Sequence, residues 1–180
     1  MLLKRDQSQL LMIDMQEKLV PAMHDHEALV RNCRTLLAAS GHIEAPLLIS
    51  EQYPQGLGPT LAELSEMAGD CAGMAKMDFS CARDPAIQAR LKEGDRRQIV
   101  ICGVEAHVCV LQTALDLRTM GLDVFVALDA VASRQLDSKM IAADRLRACG
   151  VHVVTVEMVV FEWAQSASDP VFKSLRKLIL

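Results

Sequence analysis

The chain has 180 residues, of which 51% are hydrophobic and 23% are charged, and its formal net charge is -4. This is an ordinary globular composition, and the length favours a single domain over residues 1–180. Lysine and arginine are scattered, which argues against nucleic acid as a partner, and no apolar run reaches the roughly 18 residues of a membrane span. Charges near the N-terminus argue against a signal peptide, so we expect a cytoplasmic protein.

Five short apolar runs alternate with segments of helical pattern. The runs occupy residues 8–14, 45–50, 97–103, 122–129 and 151–157. Continuous runs of this length are typical of strands that are buried on both faces of a parallel sheet. Helices that end at glycines are predicted over 25–41, 84–94, 107–121 and 137–150. The alternation predicts a three-layer α/β/α fold with a mainly parallel, Rossmann-like sheet of about six strands.

Two segments depart from this alternation. Residues 51–76 are rich in glycine and proline and are predicted to be irregular, with a short strand or strand end within 74–80. After residue 157, an apolar segment with the single tryptophan precedes an amphipathic helix, on which Val171, Leu175, Leu178 and Ile179 are aligned. This C-terminal part can pack on its own domain or on another copy of the chain.

The six cysteines have irregular spacings and no CxxC pair, which argues against a zinc site or a thioredoxin-type motif. Most of them are expected to be reduced core residues. Cys109 differs because it follows the strand that ends at Gly103 and lies in the first turn of a predicted helix. Unpaired backbone N–H groups and the helix dipole at that position are expected to lower the pKa of the thiol and favour the thiolate.

Two more residues lie where a parallel sheet binds its ligands, beyond the carboxyl ends of the strands. Asp14 closes the first predicted strand, and Lys76 lies at the end of the irregular region. From position alone, Asp14 can equally be a turn former and Lys76 a solvated surface lysine. Together with Cys109, they supply a nucleophile, a general base and a cation, which is the logic of a catalytic triad.

Four segments of the chain, LLMIDMQEKL, SEQYPQGLGPT, KMDFSC and GVEAHVCVLQTALDLRTMGLDVFVALDAVASR, resemble the isochorismatase-like cysteine hydrolase family, and within it the isochorismatase-domain-containing branch. The resemblance runs in the right order from about Gln9 to Glu157. It implies a catalytic triad formed by Asp14, Lys76 and Cys109.

The same resemblance implies details of the backbone. It indicates a cis peptide between Val104 and Glu105, and an oxyanion hole formed by the backbone N–H groups of Glu105 and Cys109. The mechanism that it implies is attack of the Cys109 thiolate on a carbonyl carbon, loss of an amine, and hydrolysis of the thioester with Asp14 as base.

Differences between this sequence and members of the superfamily with known substrates narrow the range of substrates to expect. Nicotinamidases of the superfamily bind a metal through an Asp and histidines after the second strand, whereas SEQYPQGLG has no histidine there, so no metal or other cofactor is expected. The pocket walls would come from Glu51, Gln52, Tyr53, Phe79 and His107. Alternatively, Phe79 lies in the core, Tyr53 braces the loop and His107 caps the helix.

The leading hypothesis is therefore a metal-independent cysteine hydrolase for a small amide or a related carbonyl compound. The alternative is a binding or scaffold protein that keeps the pocket without useful catalysis. A redox role for the thiol is the weakest hypothesis, because no second cysteine is close to Cys109 in the sequence. Relatives are commonly oligomeric, so a homo-oligomer (dimer, tetramer or larger) is expected.

Overall fold

A six-stranded parallel sheet forms the centre of the protein in the computed structural model, which describes residues 1–179. The strands are β1 (Ser8–Ile13), β2 (Leu47–Gln52), β3 (Gly73–Lys76), β4 (Gln98–Val104), β5 (Asp123–Ala132) and β6 (His152–Val154). Their order in the sheet is β3-β2-β1-β4-β5-β6. The order reverses between β1 and β4, and such a switch point is where ligands bind in sheets of this kind. The predicted α/β/α fold is confirmed.

Helices cover both faces of the sheet. Within residues 1–179 they are α1 (His26–His42), α2 (Pro54–Leu57), α3 (Ala62–Ala68), α4 (Pro85–Lys92), α5 (Leu111–Thr119), α6 (Leu136–Ala148), α7 (Val156–Ala164) and α8 (Phe172–Arg176). Short 3-10 turns lie at Val20–Ala22 and Cys81–Arg83, and a π-helical turn lies at Ala106–Val110. The core under α1, α3, α7 and α8 is separate from the core under α4, α5 and α6.

The two central strands are buried along their whole length. Every residue of β1 and β4 is buried. Along β1, Leu10 and Met12 pack into one core, while Leu11 and Ile13 pack into the other. This alternation explains the continuous apolar runs, because a strand with helices on both faces has no side that favours polar residues.

The last predicted strand is shorter than the apolar run that encodes it. β6 ends at Val154, and α7 begins at Val156. Thr155 caps the helix, because its hydroxyl accepts a hydrogen bond from the N–H of Met158 at 3.2 Å. The prediction of a strand up to residue 157 is wrong at its end, since Val156, Val159, Val160 and Trp163 recur at helical spacing and are buried in one core.

The region over residues 51–76 is more ordered than its composition indicates. It contains the end of β2, the short helices α2 and α3, and β3. α3 is held by Leu64, which is fully buried. The prediction of an irregular region is therefore wrong for most of its length, because one buried leucine is enough to hold a two-turn helix against α1.

The C-terminal helix is also shorter than predicted, but it packs on its own chain. α8 spans Phe172–Arg176, and Leu175 is fully buried. Val171, Leu178 and Ile179 pack against the same core. No helix of the described residues is long and apolar enough to cross a membrane.

Candidate active site

Asp14 lies at the carboxyl end of β1, at the switch point of the sheet. Its φ is 52°, in the left-handed region that aspartate tolerates better than most residues. The side chain is fully buried, and its Oδ1 accepts a hydrogen bond from the hydroxyl of Ser50 at 2.7 Å. The left-handed turn ends the strand, and the carboxylate remains buried at the carboxyl edge of the sheet.

Lys76 is the partner of Asp14. It is the last residue of β3, its side chain is fully buried, and its Nζ lies 2.8 Å from Oδ2 of Asp14. A second acceptor, Oε1 of Gln52, lies 2.7 Å from the same Nζ. Burial is the largest single influence and lowers the pKa of Lys76, but Asp14 together with Cys81 and Cys109 outweighs it, and the net shift is upward. The lysine is therefore a buried cation, not the solvated surface residue that composition allowed.

Cys109 reaches the same place from β4. The peptide between Val104 and Glu105 is cis, and the π-helical turn Ala106–Val110 follows it. The carbonyl of Glu105 accepts hydrogen bonds from the N–H groups of Val108 at 3.0 Å and Val110 at 3.2 Å, which closes the turn. Cys109 is 7% exposed, so its thiol is close to the surface without being open to bulk water.

The pKa of the Cys109 thiol is raised, not lowered as its place in the sequence led us to expect. Burial is the largest cause, the charge of Asp14 is the second, and Lys76 opposes them without cancelling them. The helix-terminus argument fails because Cys109 lies in a buried π-helical turn that faces a carboxylate. A thiol in this environment is protonated at rest and needs a base as it reacts.

A second thiol lies in the same cluster, and no sequence pattern pointed to it. Cys81 is fully buried, and its backbone N–H donates to Oγ1 of Thr113, one helical turn after Cys109. Burial, followed by the charge of Asp14, raises its pKa to about 11. Cys81 also contributes to the raised pKa values of Lys76 and Cys109. Distance along the chain was thus a poor guide to which cysteines are neighbours.

Glu51 does not contact the ion pair in this cluster, and its place in the wall of a substrate pocket stays a prediction. Side chains alternate along β2, so Glu51 lies on the opposite face of the sheet from Ser50 and Gln52, which contact the ion pair. Its Oε1 accepts hydrogen bonds from the backbone N–H and the hydroxyl of Thr60, both at 2.7 Å. Glu51 therefore holds the loop before α3.

Replacing Glu51 by Ala should lower stability and leave the thiol unchanged. The substitution leaves the buried Thr60 N–H without its acceptor, which costs about 1 to 3 kcal/mol. Urea unfolding measures this loss, and iodoacetamide alkylation of Cys109 reports on the site. Glu63→Ala is the control, because the exposed pair of Glu63 with Arg34 contributes about 1 kcal/mol or less. A slower alkylation in Glu51→Ala would contradict the assignment.

The other predicted pocket residues differ in their surroundings. Tyr53 is 48% exposed, and its ring lies over Gly56, where an added Cβ would be 2.2 Å from Cε1, so it braces the loop. Phe79 is 52% exposed and is not a core residue. Nδ1 of His107 is 2.9 Å from the hydroxyl of Ser133, and the imidazole does not cap the helix.

Glu105 also makes a contact that the sequence did not indicate. Its carboxylate lies 3.0 Å from Nε of Arg134, and it accepts a longer hydrogen bond from the backbone N–H of the same residue at 3.3 Å. Arg134 follows the carboxyl end of β5. The pair connects the turn after β4 to the end of the neighbouring strand.

The described part of the chain contains no group of three or more His, Cys, Asp or Glu side chains that could hold a metal ion. A surface cavity of about 730 Å³ is remote from the cluster. It lies between the N-terminal segment and α7 and is lined by Leu2, Leu3, Lys4, Arg5, Asp6, Phe161, Glu162 and Gln165. Asp14, Lys76 and Cys109 lie together at the switch point with their hydrogen-bond partners.

These features define an α/β/α protein with a cysteine, a carboxylate and a lysine gathered at the switch point of a parallel sheet. Residues 8–158 match the family model described as the isochorismatase domain, so the chain belongs to the isochorismatase domain family. Its fold is the hydrolase fold of that family.

Curated relatives match nearly the whole chain. Isochorismatase domain-containing protein 2 of Danio rerio is 39% identical over 173 residues, which cover 96% of this chain and 86% of the relative. A protein named secreted isochorismatase effector Isc1, from Phytophthora sojae, is 35% identical over 177 residues, which cover 96% of this chain and 84% of the relative.

Solved structures agree with the fold. A structure named MAR1 ribonuclease from Caenorhabditis elegans has a TM-score of 0.94 and 32% identity, covering 99% of this chain and 92% of that chain. The YcaC gene product of Escherichia coli, described as an octameric hydrolase of unknown specificity, has a TM-score of 0.93 and 23% identity, covering 98% of this chain and 88% of that chain.

Proposed function

We propose that this chain is a metal-independent cysteine hydrolase that cleaves a small amide or a related carbonyl compound through a thioester on Cys109. The observation that carries the proposal is the buried ion pair of Asp14 and Lys76 against the Cys109 thiol. A nucleophile, a carboxylate and a cation in one water-poor site are the groups that acyl transfer requires.

In the first half of the proposed reaction, Asp14 is the general base. It takes the thiol proton as the sulfur of Cys109 attacks the carbonyl carbon. The backbone N–H groups of Glu105 and Cys109 donate to the oxyanion, and one such donor is typically worth about 3 to 4 kcal/mol of barrier. The C–N bond then breaks, Asp14 returns the proton to the departing amine, and a thioester remains on Cys109.

In the second half, a water molecule replaces the amine. Asp14 takes a proton from this water as its oxygen attacks the thioester carbon. The tetrahedral intermediate collapses, the C–S bond breaks, and the proton returns to the sulfur of Cys109 as the acid leaves. Lys76 keeps its proton throughout, because its raised pKa holds it as the cation that pairs with Asp14 and opposes the accumulation of negative charge.

Two other functions belong in the same test. A binding or scaffold role predicts an intact site without turnover. RNA cleavage is a second alternative, because the C. elegans structure is named a ribonuclease. A formal net charge of -4 and scattered basic residues, however, give this chain little electrostatic attraction for RNA. RNA should therefore be one arm of the substrate panel and is expected to remain uncleaved.

The remaining parts of the proposal concern assembly and location. Several large apolar side chains are exposed, among them Leu2, Leu136, Ile141 and Phe161. Scattered apolar side chains are ordinary on a protein surface, and the homo-oligomer is supported instead by similarity to the YcaC gene product, whose structure is described as octameric. A cytoplasmic location fits the free cysteines of the chain, since a reducing compartment keeps thiols unpaired.

The expected result that tests the function is loss of turnover in Cys109→Ala. A panel of small amides, imides and ureas should contain a substrate that the parent hydrolyses and the variant does not, since the nucleophile is gone. Cys33→Ala is the matched control, because Cys33 is also buried but lies in the core on the other face of the sheet. Two results would refute the proposed hydrolase activity: turnover that survives in Cys109→Ala, or a panel in which the parent hydrolyses no compound faster than Cys109→Ala does.

A further inference from the structure

The ammonium group of Lys76 is held in two directions. It donates to Oδ2 of Asp14 at 2.8 Å and to Oε1 of Gln52 at 2.7 Å. An ammonium has three N–H donors, so two contacts fix the direction of the third. The second contact also restrains the position of Nζ, because the ammonium group has to satisfy both acceptors at once.

Gln52 is itself fixed more firmly than a pocket side chain needs to be. Its Nε2 donates to the carbonyl of Met77 at 2.8 Å, which determines that Oε1 faces Lys76. Its backbone N–H donates to Oε1 of Gln16 at 2.7 Å, and Nε2 of Gln16 donates to its carbonyl at 3.0 Å. Gln16 is fully buried and also binds the carbonyl of Gly58 at 2.7 Å.

The choice of an amide at position 52 follows from the charges around it. The charge of Asp14 raises the pKa of the Cys109 thiol, and Lys76 opposes that effect. A glutamate at position 52 would add a second negative charge beside Lys76 and compete with Asp14 for the lysine. A glutamine accepts the hydrogen bond without adding charge.

We propose that Gln52 is a positioning residue of the site: it holds the ammonium of Lys76 in place so that the charge of the lysine stabilises the sulfur anion that forms at Cys109. This inference rests on the proposed function, and it replaces the expectation that Gln52 contacts substrate. Gln52 acts only through Lys76, and the hydrogen bonds from Gln16 fix the backbone of Gln52.

The test measures the alkylation rate of Cys109 by iodoacetamide between about pH 6 and pH 9.5, with peptide mass spectrometry to separate the thiols. Gln52→Met removes the amide oxygen that accepts from Lys76 while keeping a side chain of similar volume. Gln52→Asn keeps a polar amide but shortens the side chain by one methylene, so that its oxygen no longer reaches Lys76. Gln55→Met is the matched control, because Gln55 is an exposed glutamine three residues further along the chain, in α2. The exposed thiol of Cys149 is the internal reference.

In both Gln52 variants, iodoacetamide should alkylate Cys109 at least about threefold more slowly than in the parent, at any pH below the pKa of the thiol. The thiolate fraction falls by that factor when the pKa of the thiol rises by about 0.5. Lys76→Met should slow it further, while Gln55→Met and the Cys149 rate should match the parent. Unfolding midpoints identify any variant that loses its fold, and the second Gln52 variant then carries the test.

Parent-like alkylation in both Gln52 variants, with slow alkylation in Lys76→Met, would overturn the positioning role and leave the proposed function intact. Parent-like alkylation in Lys76→Met would instead refute the role of the lysine, and with it the catalytic cluster on which the inference rests. The two failures are therefore distinguishable.

Discussion

Replacing Asp14 by Asn should make the Cys109 thiol more reactive toward iodoacetamide while it strongly slows hydrolysis. The charge of Asp14 is the second largest cause, after burial, of the raised pKa of the thiol, and Asn removes that charge. Lys76 remains and continues to favour the anion. We expect alkylation of Cys109 to become about tenfold faster at neutral pH, as it would if the pKa of the thiol fell by about one.

Hydrolysis should change in the opposite direction. Asp14 is the proposed base for both halves of the reaction, and a positioned general base typically contributes about 10²- to 10⁴-fold to the rate. Turnover of a panel substrate should fall by about that factor in Asp14→Asn. The divergence distinguishes a base from a residue that merely supports the fold, since loss of structure would expose every thiol equally.

Ser50→Ala is the control for this prediction. It removes the 2.7 Å hydrogen bond to Oδ1 but keeps the carboxylate and its contact with Lys76. Turnover should fall less than in Asp14→Asn, and the alkylation rate should stay closer to that of the parent. Slower alkylation of Cys109 in Asp14→Asn would show that the carboxylate promotes the thiolate, contrary to the electrostatics described above.

Gly103→Ala should destabilise the protein more than alanine at the other glycines, because the added Cβ meets backbone atoms at the shortest distance. Gly103 pairs with Ile13 in the register of β4 and β1, its φ is 109°, and an added Cβ would lie 2.0 Å from the carbonyl oxygen of Ile13. Backbone atoms at that distance must move apart. We expect a loss of about 3 kcal/mol or more in the free energy of unfolding, measured by urea titration.

A matched glycine in α1 predicts the opposite sign. A Cβ added at Gly41 meets nothing within 4 Å, and the residue lies inside the helix. Gly41→Ala should therefore stabilise the protein by up to about 1 kcal/mol. Equal unfolding free energies for the two variants would contradict the close approach of β4 to β1. Because Ile13 directly precedes Asp14, a folded fraction of Gly103→Ala should also hydrolyse poorly.

The layout of the sheet could be predicted from the sequence because burial on both faces leaves a direct signal. Strands such as β1 and β4 are buried at every position, and their carboxyl ends identify the edge where polar residues meet. Asp14 lies at such an end and Cys109 follows one, whereas Lys76 ends the largely exposed strand β3, so position made them candidates and the family resemblance singled them out. The end of β6 was mistaken because a capping threonine inside an apolar run resembles a continuing strand.

The details of the site depend on information that spacing does not contain. Whether Glu51 or Gln52 faces the cluster is decided by alternation along β2, and one residue of register reverses the answer. The direction in which the pKa of Cys109 moves depends on how deeply the turn is buried and on which charge lies nearer. The presence of Cys81 beside Asp14 depends on the contact between the Cys81–Arg83 turn and α5. All three depend on tertiary structure, which the spacing of residues in the sequence does not determine.

The central claim is a thioester on Cys109, and trapping it with hydroxylamine is the most direct measurement. Hydrolysis of a panel amide in the presence of hydroxylamine should divert the acyl group into a hydroxamate, whose share of product rises with hydroxylamine concentration. Cys33→Ala should give the same partition, and Cys109→Ala should give no hydroxamate above background. Turnover that yields only the acid at every hydroxylamine concentration, or hydroxamate formed equally by Cys109→Ala, would contradict the thioester.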